Sequence, residues 1–294
     1  MDRFESMRAF VAVAEEEGFA RASRRLGLSP PAVTRAISAL EQRVGTALLR
    51  RTTRVVRLTE AGTRFFTDCK RILAEIEEAE AAAAGEHAEL RGPLAITAPV
   101  MLGRMHVAPL LLDFLARHPR VSARAFFVDR IADLIDEGLD VAVRIAELPD
   151  SSLHAIPVGS VRRVVCASPG LLETHGVPRK PADLAQLPAI RFSIGESPEP
   201  WSFASGETIR PAGQLVVSSN DVAIAAALAG RGLARVLSYQ IEPQVRSGEL
   251  KIVLAEYEPA PVPVNVVYLE GRRAPARVRA FVAFAVERLR AERF

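Results

Sequence analysis

ASRRLGLSPPAVTRAISALEQRV, residues 22–44, reads as a short helix, a tight turn and a longer helix. The first helix is expected from Ala20 to Leu26, with Ala22 and Leu26 facing inward, and Gly27-Leu28 makes the turn. Ser29 suits the N-cap of the second helix, where its hydroxyl can accept an orphan backbone N–H. Pro30 then takes the first helical position, where its missing N–H costs nothing. Val33, Ile37, Leu40 and Val44 share one face of this helix and leave Thr34, Arg35 and Ser38 on the other. In a helix-turn-helix the start of the second helix enters the major groove of DNA and the first helix crosses the backbone. Ser29, Pro30, Pro31, Thr34, Arg35 and Ser38 are therefore candidate DNA contacts, with Arg35 able to bind guanine through two hydrogen bonds.

The flanking sequence fits that reading. Upstream, Phe4, Met7, Phe10, Val11 and Ala14 form one helical face that ends at Gly18. Downstream, LLRRTTRVVRLT, residues 48–59, interleaves β-branched residues with arginines and predicts a hairpin, or wing. Arg51, Arg54 and Arg57 can reach phosphates or an adjacent minor groove from there. Residues 1–59 carry eleven arginines against six acids, whereas residues 60–90 carry three basic residues against eight acids. The net charge of +3 thus hides a basic head, suited to a polyanion, followed by an acidic stretch.

Thr59 and Glu60 can start a further helix, running to about Glu86. Phe65, Cys69, Ile72, Ile76, Ala79 and Ala83 repeat at spacings of four and three, an a/d seam suited to pairing two copies. An amphipathic helix lying on the chain's own core would show the same pattern. Arg91-Gly92-Pro93 breaks the helix, and strands then alternate with helices. Strands are expected at 94–97, 121–128 and 140–145, with helices at 103–117 and 131–137 between them. This order predicts a parallel sheet covered on both faces. A second series follows: RVVCAS after Arg162, a helix from Pro169, a loop region to about Gln214, LVVSS, a helix from Asp221 and LARVL. A strand near 264–268 and a helix over 275–293 close the chain. The expected architecture is α/β, with a winged helix-turn-helix over 1–59, a linker helix over 60–90 and a two-lobed domain over 91–294. Its first lobe takes 91–160 and 265–294, and its second takes 161–264, with a ligand in the cleft at the carboxyl ends of the strands.

Cys69 and Cys166 are the only cysteines, which excludes a disulfide framework or a zinc ribbon. Cys166 lies on an apolar strand, as a buried, inert thiol would. The five histidines show no metal-ligand spacing. No Walker A loop, His-Glu-x-x-His or Gly-x-Ser-x-Gly elbow is present, and Gly230-x-Gly232 lacks its third glycine. No catalytic residue, metal or cofactor is expected. The N-terminus lacks a signal-peptide core and no apolar run is long enough for a membrane, so the expected location is the cytoplasm.

The run from Phe10 to Gly62 resembles the LysR-type transcriptional regulators. Ser29, Pro31, Ala32, Val33, Thr34 and Arg35, then Ile37, Leu40 and Glu41, carry the likeness, together with Arg51-Thr52-Thr53-Arg54 and Leu58-Thr59. It continues through ITAPVMLG, FLARHPRV, DVAVRI, SPGLLETHG and SSNDVAIAAALAGRGLA, and so covers essentially the whole chain. The resemblance implies a homodimer or homotetramer on an interrupted palindrome of double-stranded DNA. It implies a sensor of the type 2 periplasmic-binding-protein fold, and RNA polymerase is a candidate partner. Many members have Gln, which often reads a base, where this chain has Pro30, and a proline where it has Glu60.

The resemblance also implies that the loop after the first sensor strand touches the effector. That loop holds Thr97, Ala98, Pro99, Val100, Met101, Leu102 and Gly103. Backbone N–H groups at its helix start can bind a carboxylate, and Val100, Met101 and Leu102 suggest an effector with an apolar part. Arg144 could add a charge-assisted contact, or pair with Asp140 or another local acid. Ser193, Asn220 and Asp221 approach from the second lobe, although Asn220-Asp221 equally reads as a helix N-cap. An enzyme or solute binder with a DNA-like head, and a constitutive repressor with an empty sensor, are the competing readings.

Overall fold

Three helices open the chain in the computed structural model, which describes residues 2–51, 56–83, 89–148, 153–193, 195, 197–269 and 274–292. Helix α1 (Arg3–Glu15) starts from a capping box between Asp2 and Glu5. It buries Met7, Phe10 and Val13, whereas Phe4 is exposed. Helix α2 (Phe19–Leu26) ends at Gly27, whose φ of 65° is the left-handed cap that a glycine favours. Helix α3 (Pro30–Val44) buries Val33, Ile37 and Leu40 against α1, but Val44 at its last turn is exposed.

Ser29 holds the cap position of α3 by its backbone alone, and its side chain makes no capping hydrogen bond. Pro30 and Pro31 have no N–H to offer, and the N–H of Ala32 is taken by the Ser29 carbonyl at 2.9 Å. The hydroxyl is left for another partner.

Strands β1 (Leu49–Arg51) and β2 (Val56–Leu58) form the wing, pairing antiparallel with Arg50 opposite Arg57. Glu41 on α3 accepts the N–H groups of Leu48 and Leu49 at 2.8 and 3.1 Å, which fixes the start of the hairpin. Arg54 lies outside the described residues, as does the side chain of Arg51.

Helix α4 (Glu60–Ala83) begins where Thr59 accepts the Gly62 N–H at 2.9 Å. Its first turns lie on the head. Phe65 and Phe66 pack against Phe10 at ring separations of 5.7 and 6.4 Å. Cys69 is fully buried in the core of the head, with Phe65 and Ile72 packed against the same core. Cys69 therefore cannot meet a partner helix, which corrects its assignment to the dimer seam. An a/d repeat records that a stripe is covered, not by which chain. Ile76 remains half-exposed, and the side chains of Ala79 and Ala83 lie outside the described residues. Glu15 ties the assembly together, 2.8 Å from Lys70 on α4 and 2.7 Å from Arg25 on α2. Burial works to raise its pKa, but these two cations hold it below the usual carboxylate value.

The larger part of the chain is built on a five-stranded sheet, a three-stranded sheet and two two-stranded ones. The first has strand order β4-β3-β5-β14-β6, with β3 (Gly92–Ala98), β4 (Val121–Phe127), β5 (Val141–Ile145), β6 (His154–Val161) and β14 (Val262–Tyr268). Strands β3, β4 and β5 are parallel as the pattern predicted, but β14 runs antiparallel to both its neighbours, β5 and β6, so the sheet is mixed. Helix α5 (Val100–Leu102) passes through a π-turn at Gly103–Val107 into α6 (Ala108–Arg117).

The helix expected at 131–137 is a series of turns. Asp133 Oδ1 accepts the N–H groups of Ile135 and Asp136, and Glu137 binds Arg130 through both oxygens at 2.6 and 2.7 Å. These side chains satisfy the groups that a helix would have used.

In the second lobe β7 (Arg163–Ala167) lies between β12 (Ala234–Leu237) and β13 (Lys251–Val253), antiparallel to both. Strands β8 (Ile190–Phe192) and β11 (Leu215–Val217) pair in parallel beside them, and β9 (Trp201–Ser202) and β10 (Thr208–Ile209) form a small ribbon. Helices α7 (Pro169–His175), α8 (Asn220–Leu228) and α9 (Ser238–Ser247) belong to this lobe, and α10 (Ala276–Ala291) packs against β3, β6 and β14 of the first. Burial pushes both thiols, Cys69 and Cys166, up to about 12, which keeps them protonated and inert. Among the described residues no helix is long and apolar enough to cross a membrane.

Candidate nucleic-acid interface and effector cleft

The exposed face of α3 carries Pro31, Arg35 and Ser38, at the helical spacing that lines one stripe. Ser29 and Pro30 are exposed at its start. Thr34 is half-buried and its hydroxyl donates to the Pro30 carbonyl at 3.0 Å, leaving its lone pairs as acceptors. Arg57 is exposed on the wing, and the ladder sets Arg50, also exposed, directly across from it. Like charges in that position repel, and among the described residues no acid is paired with either. A phosphate backbone would relieve the repulsion. Arg50 was missed because only the hairpin register, not the spacing of arginines, puts it beside Arg57.

A cavity of about 250 Å³ opens between the two lobes. Its walls come from strand ends. Pro99 follows β3, Asp129 follows β4 and Ile145 closes β5 on the first lobe. Phe192 ends β8, Leu237 ends β12 and Asn220 opens α8 on the second. A crevice beyond the carboxyl ends of strands is where α/β folds take ligands.

Of the expected effector residues, Pro99 and Asn220 line this cavity. Met101 and Leu102 turn into the first-lobe core, at 6% and 0% exposure. Gly103 is buried under the Phe127 ring, whose nearest carbon would stand 2.3 Å from an added Cβ. Val100 is exposed, but its N–H is taken by Asp129 Oδ1 at 2.9 Å. The helix start expected to receive a carboxylate already holds one from its own chain. Arg144 points away and donates to the Ala132 carbonyl at 2.6 Å, while Asp140 binds the Ala95 N–H instead. The strand alternates, so Ile145 rather than Arg144 reaches the cleft. Ser193 is buried and bonds the carbonyls of Gly195 and Ser197. Ser219, not Asn220 or Asp221, is the cap of α8. Asp221 instead meets Arg104 of the π-turn at 2.8 Å, an exposed ion pair from lobe to lobe.

The residues not foreseen are the charged and aromatic ones of the second lobe: Arg163, Arg235, Phe192, Trp201 and Tyr239. Leu237 pairs with Arg163 and Arg235 with Val165, which sets both arginines on one face of the sheet. Arg235 donates to the carbonyls of Pro200 and Ser202 at 3.2 and 2.6 Å and lies 5.8 Å over the Phe203 ring. Burial, then the positive charge of Arg163, push its pKa down to about 10, with Glu199 offsetting part of the effect. Among the described residues no group of His, Cys, Asp and Glu is placed to hold a metal ion.

Comparison with known proteins gives one answer for both ends. Residues 4–63 match the bacterial regulatory helix-turn-helix proteins of the lysR family, and residues 87–290 match the LysR substrate binding domain. An HTH-type transcriptional regulator of Xanthomonas campestris is 38% identical over 287 residues, 95% of this chain and 83% of that one. An HTH-type transcriptional repressor of Pseudomonas aeruginosa is 34% identical, covering 98% and 92% of the two chains. The solved structure of CrgA, a LysR-type regulator from Neisseria meningitidis, matches with a TM-score of 0.62 at 31% identity, over 97% of this chain and 98% of that one. With both ends matched and the order of elements shared, the chain belongs to the LysR-type transcriptional regulators: a helix-turn-helix DNA-binding protein with an effector-binding domain, and not an enzyme.

Proposed function

We propose that the start of α3 reads bases in the major groove while Arg50, Arg57 and the rest of the wing hold phosphates. The division of labour is a head over 1–59, a linker helix over 60–90 and a two-lobed sensor over 91–294. A small molecule in the cleft changes how the sensor lobes sit, and the linker helix passes that change to the head. Two or four copies act together, joined in part by α4 beyond its contact with the head, in the cytoplasm and within reach of RNA polymerase. The observation that carries this reading is the exposed stripe of Pro31, Arg35 and Ser38 on α3, together with an arginine pair on the wing that no acid neutralises among the described residues.

Footprinting on the DNA upstream of its own gene tests it. The expected result is two protected half-sites related by an approximate two-fold axis, separated by about 10 base pairs or a multiple of that. No protection even at low salt would refute the reading.

A further inference from the structure

The two walls of the cleft differ in how their charges are committed. On the first lobe, Asp129 is held by the Val100 N–H, so that wall already carries a seated carboxylate and repels another. On the second lobe, the Arg163 side chain makes no ion pair or hydrogen bond among the described residues. Arg235 spends two N–H groups on neutral carbonyls, which orient its guanidinium without neutralising it. Among the described residues Glu199 is the one acid on this wall, and it is exposed. Beside the arginines lie flat apolar surfaces, Phe192 and the buried Trp201, with Tyr239 closing the cavity.

We propose that the cleft takes an organic anion with a flat apolar body, its negative group held between Arg163 and Arg235 and its body laid against Phe192 and Trp201. This rests on the cleft being the effector site and goes beyond it by naming the chemical class and the wall that selects it. Two guanidinium groups can give an anion several charge-assisted hydrogen bonds. The ligand also relieves the repulsion between them. Binding therefore draws on a cost that the empty protein already carries.

The chain has one tryptophan, Trp201, so its fluorescence reports on this cavity. Benzoate, benzamide and benzylamine share a ring and differ in charge. Titrating each into the full-length protein should show benzoate perturbing Trp201 at a concentration about tenfold or more below that needed for the other two. R163M should remove this preference, and it breaks no hydrogen bond of the described residues. Unchanged circular dichroism would show that the variant folds. R235M also removes two backbone contacts, so R163M is the decisive variant. If all three probes act alike, or benzylamine acts best, the proposal is overturned while the cleft still stands as a ligand site. If none perturbs Trp201 at millimolar concentration, the proposal falls together with the reading of the cleft.

Discussion

Gly62→Ala should lower the stability of the head by about 2–3 kcal/mol and loosen its grip on DNA. A Cβ at position 62 would stand 1.9 Å from the Leu48 carbonyl oxygen and 2.9 Å from its carbon. These are backbone atoms and cannot rotate away. The carbonyl is pinned, because it accepts the Thr59 N–H at 3.0 Å, and Leu48 itself is fully buried with its N–H held by Glu41. To admit one methyl group, α4 must lift from the wing. The wing hangs between Leu48 and Thr59, so its arginines would move with it. Thermal unfolding of the isolated variant and DNA titration should both register the change. A melting temperature equal to that of the parent would show that this joint has slack.

The double variant Arg50→Ala, Arg57→Ala should have opposite effects on stability and on binding. In the free protein two like charges face each other across the hairpin, so their removal should leave stability unchanged or raise it by up to about 1 kcal/mol. On DNA each arginine that neutralises a phosphate contributes about 0.9 to the slope of log affinity against log salt. Losing two per head should make the slope shallower by about 1.8, and by about 3.6 for a dimer with both heads bound. The loss should be the same on every sequence, since phosphates carry no base identity. An unchanged slope would mean that the wing does not touch the backbone.

The head was legible in the sequence because its signals are local. Gly27, Ser29 and Pro30 mark a helix end and a helix start within four residues, and Val33, Ile37 and Leu40 supply a face. The cleft was legible only as a place. Asp129 reaches Val100 from 29 residues away, so nothing in the 97–103 segment shows that its helix start is already occupied. Arg163 and Arg235 are 72 positions apart and meet only through the β7–β12 register. Strand β6 was overlooked because Pro157 and Gly159 interrupt it, and α9 because Pro243 sits inside it. The seam of α4 shows the limit from the other side. Its period was right, yet Cys69 is covered by the chain's own head, and period alone does not name the cover.

Base preference is the most direct measure of whether α3 reads DNA. Selection from a pool of random duplexes, run with the parent and with Arg35→Ala, should show the variant losing about 1–3 kcal/mol of discrimination at one position of each half-site, a guanine, while the remaining positions keep theirs. An identical selected sequence from both proteins would contradict the placement of this helix in the groove.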